Sequence, residues 1–209
     1  MFLVAAFLLL ATVSAAPLFN NSTPEHFLNS TLQASASFMD CGSAPLCGVM
    51  VLESGKGSQK YSHPAGPVVH GLWPESGSYG SSKCIAPADT TPPASTHSCY
   101  DDLTFAQHEW AKHGTCAGVA DADAFFTLVC SLSAAPLEIM KSSDSLAAMS
   151  DALSSAGFPV FFVDSSSDSQ VYLSVCSSGN GNWLLAKPEE FSAKCGSSSP
   201  PQTPTRRQQ

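Results

Sequence analysis

The sequence is poor in charge, and poorest in positive charge. Of its 209 residues 12% are Asp, Glu, Lys or Arg, with nine Lys and Arg against seventeen Asp and Glu, for a formal net charge of −8. Proteins that grip nucleic acid over a broad basic surface need many cationic contacts to phosphate, so this composition argues against that class. It does not argue against an enzyme that works on a single phosphate, which needs a few well-placed cations. Paired C-x-x-C knuckles of structural zinc sites and internal repeats are missing as well. No second apolar stretch matches the one that opens the chain, so no membrane anchor is expected. The length suits one domain with a core and not two.

That opening stretch, MFLVAAFLLLATVSAAP, has the length and small-residue ending of a secretory signal, with cleavage expected after Ala15. Residues 16–37 are Ser/Asn/Thr-rich without periodicity and read as a flexible leader, carrying glycosylation sequons at Asn20, Asn21 and Asn29. The folded domain is expected over 38–196, and the tail 197–209 lacks any means of burying apolar area. Eight cysteines (Cys41, Cys47, Cys84, Cys99, Cys116, Cys130, Cys176 and Cys195) in an exported chain imply four disulfides, although spacing leaves about 105 pairings open.

Periodicity predicts strands over Leu46–Glu53 and Pro67–His70, then a Pro/Ser/Thr-rich loop from Gly80 to Tyr100. Thr104 and Gln107 have the spacing of a capping box, and Gly114 stands where a left-handed cap belongs, which predicts a helix over Phe105–His113. Further helices are expected over Ala122–Leu132 and Ser145–Ala156, the latter burying Leu146, Met149 and Leu153 and ending at Gly157. Strands follow over Phe158–Asp164, Gln170–Val175 and Asn182–Ala186. Helices set among strands point to an α+β fold.

Two short segments, His70-Gly-Leu-Trp73-Pro and His108-Glu109-Trp-Ala-Lys112-His113-Gly-Thr-Cys116, hold half of the six histidines. On a helix turning about 100° per residue, His108 pairs with Lys112 and Glu109 with His113, all on an arc of about 140° that can face one anion. Glu109 beside His113 is expected to favour the imidazolium form. The H-E-x-x-x-H spacing departs from the zinc-protease H-E-x-x-H, because the extra residue swings the second histidine about 140° away from the first. Taken alone, the helix face could also be a charge-paired solvent surface. His70 at the end of an apolar strand, followed by a Gly turn, makes a rigid platform for a catalytic group. Trp73 suits either the core or a base-stacking surface. His26, His63 and His97 lie in polar stretches and read as exposed.

The pair HGLWPE and HEWAKHGTC resembles the two active-site segments of the T-two acid ribonucleases, the secreted family that includes the Rh-type and S-type enzymes; the match spans His70 to Cys116. The resemblance implies an α+β fold with an antiparallel sheet flanked by helices, and catalysis by His70, Glu109 and His113. Lys112 would steady transition-state charge and His108 would hold phosphate. Trp73 would stack on a base, with Tyr79 lining the same subsite and Phe105 standing at the aromatic position of a second one. It implies disulfides Cys84–Cys116 and Cys176–Cys195, leaving Cys41–Cys47 and Cys99–Cys130. Glu75 stands where an Asp is frequent, and the Gln/Trp-containing first strand of larger members is not recognisable.

The implied reaction cleaves single-stranded RNA through a 2′,3′-cyclic phosphate to a 3′-phosphate. It needs no cofactor or metal and is expected to run best at acidic pH. The protein is expected to be a secreted, extracellular monomer that forms no stable nucleic-acid complex. The alternative is a ribonuclease-like secreted effector acting mainly by binding a partner.

Overall fold

The computed structural model describes residues 38–166 and 169–196. The expected signal, leader, sequons, His26 and C-terminal tail lie outside the described residues. Along the chain run β1 (Leu46–Glu53), β2 (Val68–Pro74), α1 (Leu103–Lys112), α2 (Ala122–Lys141), α3 (Leu146–Ser155), β3 (Val160–Asp164), β4 (Gln170–Ser177), β5 (Trp183–Leu185) and α4 (Phe191–Cys195). The strands form one antiparallel sheet in the order β2-β1-β4-β3, with β5 paired to the end of β4. The architecture is mixed α+β, as the pattern of elements suggested.

Every residue of β1 is buried, because the strand is covered on both faces. Its alternation sends Leu46, Met50 and Leu52 to one side, where with Val171, Leu173 and Val175 they meet Trp110, Phe125, Phe126 and Val129. Each large apolar side chain buried this way is worth about 1.5 to 3 kcal/mol. Cys47, Val49 and Val51 face the other way, into a smaller cluster with Met39, Cys176 and Phe191. Disulfides Cys41–Cys47 and Cys176–Cys195 close that second layer. Cys84–Cys116 and Cys99–Cys130 tie the loop between β2 and α1 to the turn after α1 and to α2. All four pairs are those expected, and a chain so cross-linked is typical of extracellular proteins.

Helix ends depart from expectation. The first cap of α1 is Asp102, whose carboxylate accepts from Phe105 N, while Gln107 Nε2 donates to the Pro93 carbonyl, so no Thr104–Gln107 capping box forms. Gly114 is not left-handed; it starts a short 3-10 turn, and a Cβ there would lie 2.3 Å from the Trp110 ring. Close packing, not chain reversal, requires that glycine. Helix α2 passes Leu132 and continues through Pro136 to Lys141, because a stripe running from Phe125 to Met140 is buried along its whole length. By length and apolar content α2 could cross a membrane, a second such stretch that the sequence reading missed. Its buried stripe packs on the sheet as a core helix does. Helix α3 matches expectation, with Ser145 capping Ala148 N, its three apolar residues buried and Gly157 leaving it at φ +85°.

Candidate active site

Strand β2 does not end at His70; it runs on to Pro74. In its ladder with β1, Val51 pairs with Gly71 and Leu52 with Val69, so His70 is the extra residue of a β-bulge. The bulge breaks the two-residue alternation: Val69 and Leu72 both enter the helical core, while His70 is aimed elsewhere. The Tyr100 hydroxyl donates to the His70 carbonyl at 2.8 Å and holds the bulged backbone. Gly71 therefore lies inside the strand and makes no turn. A Cβ on it would stand 2.1 Å from Glu109 Oε2, so the missing side chain is the space the carboxylate fills.

Glu109 is buried on α1. Its Oε2 accepts from Trp73 Nε1 at 2.9 Å, and its Oε1 lies 3.5 Å from His70 Nε2. His113 caps the C-terminal end of α1, with its own N–H bonded to the Glu109 carbonyl. Its ring stacks on Trp73 at 5.0 Å with 19° between planes, and His70 meets the same indole edgewise at 5.0 Å and 89°. Both imidazoles thus rest against one tryptophan, with a carboxylate bonded to it. One face of Trp73 is taken by His113. Phe105 packs edgewise on the His70 ring at 5.1 Å, which makes it a wall for that imidazole.

The surroundings of the two histidines push their pKa values apart. Burial works against charge on His70, but the Glu109 and Glu53 carboxylates beside its two nitrogens outweigh it and raise its pKa to about 9. At His113 burial is the largest influence and lowers the pKa; Glu109 pulls it up, His70, His108 and Lys112 push it further down, and it falls to about 4. The expectation that Glu109 keeps His113 as an imidazolium is thereby corrected. That carboxylate is bonded to Trp73 Nε1, and the His113 ring lies against apolar surface.

Beside this group opens a cavity of about 590 Å³ lined in part by Trp73, Glu75, Tyr79, Lys112, His113 and Tyr172. Lys112 is exposed at its edge, and Tyr79 is 65% exposed. Burial pushes the Glu75 carboxyl up to about 7. His108 is exposed on α1 and does not line this cavity.

Several residues went unnoticed in the sequence. Glu53, at the end of β1, has one oxygen 2.7 Å from His70 Nδ1 and the other 2.5 Å from His63 Nε2. Gln170 Nε2 is 2.7 Å from His70 Nδ1, and its amide oxygen accepts from the Tyr172 hydroxyl. A lone carboxylate closing an otherwise apolar strand was the available signal. His63 is accordingly half-buried and ion-paired; His97 bonds Asp123 at 2.8 Å and stacks on Phe126. Neither is simply exposed, since each found an acidic partner distant in sequence. Among the described residues no three His, Cys, Asp or Glu side chains form a metal-binding group. Comparisons with protein-family models, curated proteins and solved structures find no match to this chain.

Proposed function

We propose that this chain is a secreted endoribonuclease of the T-two type, cleaving single-stranded RNA by acid–base catalysis between His70 and His113. The observation that carries the reading is the packing of both imidazoles on Trp73, in surroundings that raise the pKa of one and lower that of the other. Groups whose environments push their pKa values apart are suited to act as an acid and base pair.

In this reading His113 is the base and takes the proton of a ribose 2′-hydroxyl. The freed oxygen attacks the adjacent phosphorus, the bond from phosphorus to the 5′-oxygen breaks, and His70 Nε2 gives its proton to that oxygen. The products are a 2′,3′-cyclic phosphate and a 5′-hydroxyl. Water then opens the ring with the roles exchanged, leaving a 3′-phosphate and restoring both histidines. Lys112, exposed at the cavity edge, supplies positive charge for the phosphate from α1, with His108 one turn before it. The cavity beside Trp73 is large enough for a base, which would use the indole surface that His113 leaves open.

The test is a dinucleotide cleavage assay with chelator present. Wild type is expected to release cyclic phosphate, and His70→Ala or His113→Ala to lower the rate by about 10² to 10⁴. Undiminished cleavage by either variant, or a strict need for a divalent metal, overturns the reading.

A further inference from the structure

Resting on the reading of His70 as proton donor, we propose that Glu53 is its positioning carboxylate, fixing Nδ1 so that Nε2 presents the transferable proton to the substrate. Nothing in the two active-site segments points to this residue, because it lies on another strand. Its Oε1 is 2.7 Å from His70 Nδ1, a close ion-pair contact, whereas His70 Nε2 is 3.5 Å from Glu109 Oε1, too long to hold that proton firmly. The two nitrogens are thus unequal: one is held by β1 and the other is free to give.

The carboxylate is itself held in place. Its second oxygen is bonded to His63 Nε2, and the side chain is 7% exposed, so it cannot swing into water. Burial opposes its ionisation, but the bonds to His70 and His63 outweigh that and keep it ionised below the usual carboxylate range. The other groups around His70 are Glu109 from α1, Gln170 from β4, the Tyr100 hydroxyl on its carbonyl and His113 across Trp73. Gln170 gives a consistency check. A His70 that keeps Nδ1–H on Glu53 has no acceptor there in either charge state, because the proton it gives up leaves from Nε2. The amide must then turn its oxygen toward the ring and accept nothing further from Tyr172, whose hydroxyl becomes the acceptor. With the amide so turned, one arrangement serves both charge states of the ring. During the reaction Glu53 stays ionised, His70 goes from imidazolium to neutral and His113 from neutral to imidazolium, so the total charge of the three does not change.

The test is titration of ¹⁵N-histidine-labelled protein by NMR, beside the pH dependence of kcat/KM for RNA cleavage. In wild type His70 is expected to titrate near pH 9. In Glu53→Gln its midpoint, and the alkaline limb of the rate profile, are expected to fall by about 1 to 3 pH units, with the acid limb unmoved. Glu53→Asp, which keeps the charge, should restore most of the shift. A His70 that titrates near its ordinary value in wild type overturns the proposal, even if the Gln variant does not fold. So does a folded Gln variant that loses rate without moving the limb or the titration. A wild type that cleaves no RNA overturns the ribonuclease reading alone, because the titration still decides whether Glu53 governs His70.

Discussion

Gly71 shows how a residue without a side chain can organise a site. Any Cβ there would collide with Glu109 Oε2 at 2.1 Å and crowd Trp73 Nε1 at 3.0 Å, so the carboxylate would be driven out of the gap between the indole and His70. Gly71→Ala is expected to lower kcat/KM about 100-fold, the cost of displacing a catalytic group by roughly 1 Å, while destabilising the fold by about 1 to 3 kcal/mol. Steady-state cleavage and denaturant unfolding measure the two separately. The histidine charges make a second prediction at this scale. In the proposed mechanism His113 must be free to accept a proton, so activity should be lost as pH falls through about 4, and His70 must carry one, so activity should be lost as pH rises through about 9. A plateau of kcat/KM between those values is the expected profile, broader than the acid optimum the sequence resemblance suggested. A narrow peak with both limbs near 6.5 would contradict it.

At the scale of elements, what could be read depended on how local each signal was. Leu146, Met149 and Leu153 share a helix face whatever the rest of the chain does, and α3 forms as its spacing implied. At the start of α1 the spacing pointed to Thr104 with Gln107, but the cap is Asp102, also an acceptable cap residue. The chain enters α1 just after Tyr100, whose hydroxyl is tied to the β2 bulge, and this puts Asp102 at the cap. Asp102→Ala is therefore expected to cost about 1 kcal/mol, and Thr104→Ala to stay within about 0.5 kcal/mol, in urea unfolding. Equal losses would return the cap to Thr104. The bulge at His70 was invisible in sequence because a bulge is a property of two strands in register. His70-Gly71 read as a strand end and turn until β1 was laid beside it.

For the whole molecule, on the proposed ribonuclease reading, the low positive charge limits how RNA would be held. Lys112 is exposed at the cavity edge and His108 one turn before it, in a chain of net charge −8. With about two phosphate contacts, binding of a non-cleavable 2′-O-methyl oligonucleotide should fall with log salt at a slope of about −1 to −1.5, readable by fluorescence anisotropy. A slope steeper than about −3 would mean a basic track that this surface does not supply. The sequence alone determined the kinds of chemistry present, two histidine-bearing segments and eight cysteines, together with the elements whose apolar period closes within one or two turns. Tertiary structure decided which groups meet, Glu53 with His70 and His63 and Glu109 with Trp73, and that the pKa of one imidazole is raised while its neighbour's is lowered. The reason is that burial and the distance between charges set these pKa values, and both depend on strand register and helix packing between residues far apart in the chain.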